Sequence, residues 1–367
     1  MKAPILTPLA ASLPATVPFV GPEAQERAKG RPFIARLGAN ESLFGPSPRA
    51  LQAMQDAASE VWKYGDPANH DLKAALAAHH GCAAENIVVG EGIDALLGYL
   101  VRLTVEQNTP VVTSLGAYPT FNFHVTGYGG TLFRAPYKGD HEDPAALLNL
   151  AHQIKARLLY LANPDNPMGS HHPGTVIAAM IPALPPETLL VLDEAYIDLA
   201  PPGTAPDLSP DTPNLIRLRT FSKAHGMAGL RVGYAITVAP LAQAFDKVRN
   251  HFAVGRIAQA GALAALQDQA WLAQVRAKTD HAREILSQIA RDNGLIPLPS
   301  ATNFVTIDLG RDGAFARAVL ADLIARDVFV RMPGVAPLDR CIRVSLGDDA
   351  TLAVFAHALP PALLAAG

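Results

Sequence analysis

Apolar positions between residues 86 and 237 fall into short unbroken runs rather than into alternation. NIVVG (86–90), TPVVTS (109–114), RLLYLAN (157–163), TLLVLDE (188–194), NLIRLRT (214–220) and VGYAIT (232–237) each read as a strand covered on both faces. Between strands the period changes. Ile93, Leu96, Leu97, Leu100 and Val101 recur at helical spacing and form one apolar stripe. Strands and helices alternating in this way predict an α/β fold, a mostly parallel sheet with helices on both faces.

After His251 the texture shifts. An alanine-rich helical stretch over 255–294 ends at Asn-Gly and is too long for one uncapped helix, so a break is predicted between Gln267 and Trp271. A strand (NFVTIDL, 303–309), a helix (313–327) and two more strands (VFVRM, 328–332; CIRVSL, 341–346) then predict a smaller α+β domain. The expected division is an N-terminal arm, 1–38, lying with the small domain or a dimer interface, a large ligand-binding domain, 39–255, and a small domain, 256–367. Pro4, Pro8, Pro14 and Pro18 interrupt the apolar N-terminus, which reads as an extended arm and not as a signal peptide.

Composition narrows the function classes. With 49% hydrophobic and 17% charged residues the chain buries a large core. A net charge of −3 gives no basic footprint for nucleic acid or a membrane surface. Cys82 and Cys341, the two cysteines, exclude a disulfide framework and suit a cytoplasmic setting. No unbroken apolar run approaches the length of a spanning helix. The pairs His79–His80 and His171–His172 diverge on any regular element, and no HExxH accompanies them, so no metal is expected.

Ligands of a parallel sheet gather at the carboxyl ends of its strands. There NIVVG runs into GEGID (90–94), whose glycines and helix start make a seat for phosphate. Neither GxGxxG nor GxxxxGK[ST] is present. RLLYLAN runs into NPDNPMG, where the prolines aim Asn166 or leave it capping its own loop. Asp193 closes TLLVLD, with Tyr196 three positions on. A buried carboxylate there needs a cation, and an arginine pair, a magnesium ion or a ligand would each serve. Finally "TFSKAHGMAGLRVGY" (220–234) brings Ser222, Lys223 and Arg231. Taken together this is the set pyridoxal phosphate asks for. Its aldehyde takes a lysine, its ring nitrogen a carboxylate, its phenolic oxygen donors, and its phosphate a helix N-terminus and an arginine.

"LGANESLFGPSP" (37–48), "YGDP", "GEGID", "NPDNPMG", "DEAYIDL", "TFSKAHGMAGLRVGY" and "IRVSLG" (342–347) occur in an order and spacing that cover nearly the whole chain. On these motifs the chain resembles fold-type I, class I/II pyridoxal-phosphate aminotransferases, and within them histidinol-phosphate aminotransferases. The resemblance implies the aspartate-aminotransferase-like architecture and a homodimer. It implies that Lys223 bonds to the cofactor's aldehyde and later moves the substrate proton. Asp193 would pair with the ring nitrogen, Asn166 and Tyr196 would bond its phenolic oxygen, and Tyr118 would stack on the ring. Gly92, Ile93, Asp94, Ser222 and Arg231 would hold the phosphate, with Tyr64 reaching over from the neighbouring subunit. Arg343 would clamp the substrate carboxylate, with Asn40 among the substrate contacts.

Some positions depart from the family's usual residues: Met168 in the asparagine turn, Phe19 in the arm, and "HFAVGRIAQ" (251–259) after the large domain. All touch substrate choice. Arg256 and Arg331 are therefore expected to read an anionic distal end of the substrate. The expected partners are an amino donor and a 2-oxo acid such as 2-oxoglutarate. A decarboxylase of amino-acid phosphates, an aromatic or acidic amino-acid aminotransferase, and a non-catalytic regulator of the same fold are the competing readings. The last would call for a basic DNA-binding segment ahead of the arm, and none is expected.

Overall fold

The computed structural model describes residues 5–15 and 20–367. Pro4, Pro18 and Phe19 of the arm lie outside the described residues. The arm is not wholly extended: α1 (Pro8–Ser12) forms because Thr7 Oγ1 accepts from Ala10 N at 3.2 Å and Pro8 sits in the first turn, where a missing N–H costs nothing. Next come α2 (Pro22–Lys29) and a two-residue strand, β1 (Ala35–Arg36).

The chain then runs α3 (Pro48–Ala58), α4 (His70–His80), β2 (Ile87–Gly90), α5 (Ile93–Thr104), β3 (Pro110–Ser114), α6 (Pro119–Gly127) and β4 (Thr131–Ala135). It continues α7 (Pro144–Ile154), β5 (Leu158–Ala162), α8 (Gly174–Met180), β6 (Leu189–Asp193), β7 (Leu215–Thr220) and β8 (Gly233–Thr237). These strands build one seven-stranded sheet of order β2-β8-β7-β6-β5-β3-β4. β8 alone runs antiparallel to its neighbours. The unbroken apolar runs have a direct cause in β5. Leu158, Tyr160 and Ala162 enter the core beneath α5 and α6, while Leu159 and Leu161 enter the one beneath α7 and α8. β4 is absent from the strands expected above. It is an edge strand with Thr131 and Arg134 exposed, and its mixed pattern hides it.

After α9 (Ala239–Ala244) the helical stretch breaks at Asp268, as expected, into α10 (Arg256–Gln267) and α11 (Gln269–Asp292). The Asp268 carboxylate caps the second helix by accepting from Trp271 N at 3.2 Å. Ala258, Ala262 and Ala265 of α10 share a core with Leu72, Leu76, Phe221 and Val232, so a boundary before residue 256 falls ahead of a helix packed with the large sheet.

The remaining elements are β9 (Ile296–Pro297), β10 (Phe304–Asp308), α12 (Gly313–Ala325), β11 (Val328–Phe329), β12 (Cys341–Ser345) and α13 (Asp349–Ala366). β12, β10 and β9 make a small antiparallel sheet over which α11, α12 and α13 bury Leu286, Val319 and Phe355. α13 is long and apolar enough to cross a membrane by length and composition. Its Leu352, Phe355, Leu359 and Ala362 nevertheless lie in this core. β11 leaves the small sheet and pairs in parallel with β1, Ala35 opposite Val328 and Arg36 opposite Phe329. Lys29 and Arg31 both pair with Asp327, which ties the arm to the small sheet's side of the molecule.

Candidate active site

Strand ends of the large sheet face β12 and the arm across a cavity of about 390 Å³. Lys223 stands on its wall three residues beyond β7. The turn that carries it is held by Ser222 N, which donates to Thr220 Oγ1 at 3.0 Å. Lys223 Nζ donates to Asn40 O at 3.1 Å and lies 5.5 Å from the centre of the Tyr196 ring. Among the described residues no carboxylate bonds it. Burial first, and then the Arg343 cation, push its ammonium down to about 8.

Asp193, the last residue of β6, has both oxygens engaged. Oδ2 accepts from the Tyr160 hydroxyl at 2.7 Å and Oδ1 from Ala195 N at 3.0 Å. Burial raises this carboxyl to about 6, against the lowering effect of those donors, so it is ionised at neutral pH. Asn40, in the left-handed region at φ 55°, donates from Nδ2 to the Tyr196 hydroxyl at 3.0 Å. Its own Oδ1 accepts from Ser345 Oγ at 3.1 Å. Burial lifts the Tyr196 phenol to about 12.

Arg343 on β12 donates from Nη1 to Asn166 Oδ1 and from Nη2 to Gly38 O at 3.0 Å. Its Nε is buried with no partner among the described residues, and burial pushes the guanidinium below its ordinary range. A buried cation with a spare donor and only neutral acceptors is a seat for an anion.

The opposite end of the cavity is a cradle of backbone. α5 begins at Ile93, directly after Gly92 at φ 86°. A Cβ on Gly92 would run into the Arg231 guanidinium, and one on Gly233 would come within 2.9 Å of Gly92 C and Ile93 N. Arg231 donates to Ala228 O at 3.0 Å and to Ser222 Oγ at 3.4 Å, with Asp94 Oδ2 3.6 Å from Nη2. Asp94 Oδ1 also faces the Tyr118 hydroxyl at 3.5 Å, and burial raises that phenol well above its ordinary value. The result is a glycine-floored helix start capped by an arginine, which fits a phosphate group.

The cavity thus gathers Asn40, Ile93, Asp94, Tyr118, Asn166, Asp193, Tyr196, Ser222, Lys223, Arg231, Arg331 and Arg343, with Gly92 directly behind Ile93. Arg331 donates to Val20 O of the arm at 2.5 Å. Tyr64 and Arg256 are not in it. Tyr64 is 78% exposed with its ring 4.8 Å from that of Phe252, and Arg256 donates to Tyr64 O at 2.8 Å. Sequence reasoning misses Tyr160, Thr220 and the carbonyl of Gly38. Tyr160 is hidden inside an apolar run. The one signal that could find it is strand phase, since it shares a face of β5 with Ala162, the register partner of Asp193. Among the described residues no group of histidine, cysteine and acidic side chains could hold a metal ion. His80 Nε2 contacts the Tyr234 hydroxyl at 3.0 Å and His172 Nε2 the carbonyl of Glu142 at 2.8 Å.

The family described as aminotransferase class I and II matches residues 34–359. Histidinol-phosphate aminotransferase of Anaeromyxobacter sp. is 37% identical over 332 residues, covering 89% of this chain and 91% of the relative. That of Moorella thermoacetica is 32% identical over 341 residues, covering 92% and 87%. A crystal structure of histidinol-phosphate aminotransferase from Sinorhizobium meliloti in complex with pyridoxal-5'-phosphate superposes with a TM-score of 0.96 at 54% identity, over 99% of this chain and 98% of that one.

Proposed function

The chain belongs to the class I and II aminotransferases, and from that premise we propose that it moves an amino group, with pyridoxal phosphate, between a phosphorylated amine of the histidinol-phosphate type and a 2-oxo acid such as 2-oxoglutarate. The observation that carries the reading is a single cavity holding a lysine with a depressed ammonium, an ionised Asp193 and the Gly92–Arg231 cradle. Bound there, pyridoxal phosphate supplies a reactive aldehyde and a ring that draws electron density from the substrate's α-carbon.

The chain's own groups do the rest. Arg231, Ser222 and the first N–H groups of α5 would hold the phosphate, and Asp94 flanks the Arg231 guanidinium. Asp193 would pair with the ring nitrogen and favour its protonated form. The Tyr160 hydroxyl fixes the carboxylate's direction and favours its ionised form. Asn166 and Tyr196 would hold the phenolic oxygen, and Tyr118 would stack on the ring. With its ammonium lowered to about 8, Lys223 is neutral in part near neutral pH and can take the proton from the α-carbon and return it. Arg343 receives the substrate's anionic group, and Asn40 sets Tyr196. A phosphorylated amino alcohol presents phosphate where an amino acid presents carboxylate, so the forked guanidinium serves both half-reactions. Arg331, beside it in the cavity, adds a second cation for the dianion.

Tyr64 and Arg256 complete the cavity of a neighbouring copy in a homodimer. Val61, Trp62, Tyr64 and Phe252, all exposed on the single chain, support that interface. The division at 1–38, 39–255 and 256–367 and a cytoplasmic location belong to the same proposal, with α10 packing as part of the large body. Reduction with borohydride in the presence of pyridoxal phosphate, followed by peptide mapping, is expected to mark Lys223. A panel of amines against 2-oxoglutarate is expected to favour the phosphorylated amine. A colourless protein with no marked lysine would overturn the reading.

A further inference from the structure

One buried cluster next to the cavity has no part in that account. Glu142, ahead of α7, and Asp165, in the turn after β5, are 1% and 2% exposed. Their carboxyl groups lie within hydrogen-bonding reach of each other. The other groups bonded to them are neutral donors. Glu142 accepts from Ser114 Oγ at 2.5 Å and Ala162 N at 3.1 Å. Asp165 accepts from the Tyr137 hydroxyl at 3.0 Å and Met168 N at 3.2 Å. The titratable groups around the pair are Tyr137 against Asp165, His172 on the Glu142 carbonyl, Tyr160 on β5, and Tyr196 and Arg343 acting through space. Lys138, His141 and Asp143 line the outer pocket beside Glu142. Two carboxylates in contact inside a core, with no cation bonded to either among the described residues, cannot both stay ionised.

We propose that Glu142 and Asp165 share one proton, and that this bridge is the positioning device for Asn166. The bridge ties the ends of β3 and β5 to the turn that carries Asn166. That turn is closed by Asp165 N donating to Ser170 O at 2.8 Å and Gly169 N donating to Asp165 O at 3.1 Å. Asn166, the next residue, presents Oδ1 to Arg343. Loss of the shared proton sets two buried anions against each other. The turn yields, and Asn166 draws away from Arg343. Burial raises both acids, Asp165 to about 7 and Glu142 well above the carboxylate range. Because the folded values lie above the unfolded ones, the bridge's contribution is present at low pH and is lost as pH rises through neutral into the alkaline range.

The inference rests on the proposed function only for the task of Asn166; the proton itself is tested without cofactor. Infrared spectra of the cofactor-free protein, wild type minus Glu142→Gln, are expected to show a protonated carboxylic acid that fades above neutral pH. Absence of that band overturns the proposal whatever the activity. In the loaded enzyme, Glu142→Gln donates from Nε2 to Asp165 with no proton to lose, so the alkaline rise in KM for the amino donor moves to higher pH. Glu142→Ala breaks the bridge and raises that KM about 10- to 100-fold at neutral pH, with the smaller change in kcat. An alkaline KM rise in Glu142→Gln identical to wild type refutes the positioning role, and this arm stands even if Glu142→Ala fails to fold. Failure of wild type to transaminate at all strikes the proposed function and leaves the infrared result intact.

Discussion

Replacing Lys223 by methionine should stabilise the cofactor-free protein at neutral pH, and the gain should vanish in alkali. The Lys223 ammonium is lowered from 10.5 to about 8, chiefly by burial. That displacement corresponds to roughly 3 kcal/mol. It is a ceiling, because water in the open cavity screens part of the charge. Below about pH 8 the folded chain carries the charged amine at this cost. Between about 8 and 10.5 the unfolded chain holds the proton more tightly than the folded one, so wild type gains stability with rising pH. Above 10.5 both are neutral and the cost is gone. Methionine fills much of the same volume without charge. The bond it removes leaves no orphan, since Asn40 O still accepts from Asn303 Nδ2 at 2.9 Å. Thermal unfolding followed by circular dichroism from pH 6 to 10.5, on both proteins stripped of cofactor, measures the difference. The variant should melt a few degrees higher at pH 6 to 7, the gap closing above pH 8. A gap independent of pH, or wild type the more stable at pH 6, would refute the claim that Lys223 is held as a strained cation.

Arg343→Ala removes the buried guanidinium from the substrate's anion and leaves Arg331 as the remaining cation beside it, at a cost of about 3–5 kcal/mol. Steady-state kinetics should show kcat/KM falling by roughly 150- to 5,000-fold for amine and oxo acid alike, and a loss confined to one of them would refute the shared seat. Arg331→Ala and Arg256→Ala should each narrow the preference for phosphorylated or acidic donors over neutral amines; unchanged selectivity removes both from substrate reading. Sedimentation velocity should find a dimer in wild type and weaker association in Trp62→Asp, whereas a monomeric wild type would leave Tyr64 without a cavity to serve.

Legibility in the sequence follows the number of faces a residue must satisfy. Asp193 and Lys223 stand out because a charged group ending an apolar run has no packing explanation. Tyr160 does not, since its ring packs at 4.7 Å against Phe121 and its hydroxyl alone reaches Asp193. β4 is obscured by its edge position, and the reversed direction of β8 by a run as apolar as those of the parallel strands. Gly38 acts through a carbonyl, to which side-chain identity gives no clue. Tyr64 comes from the resemblance and Arg256 from a stretch that departs from it, and neither lines this chain's cavity.

The pairing of β1 with β11 carries a mechanical consequence. Gly21 and Pro22 at the cavity mouth and Arg343 inside it belong to segments stitched together at Ala35–Val328 and Arg36–Phe329, and again where Ser345 N donates to Leu37 O at 2.7 Å. Doorway and anchor are therefore tied to each other through backbone pairings. Displacing either one would strain the pairings that hold the other, so the entrance and the anion seat are mechanically coupled through backbone alone.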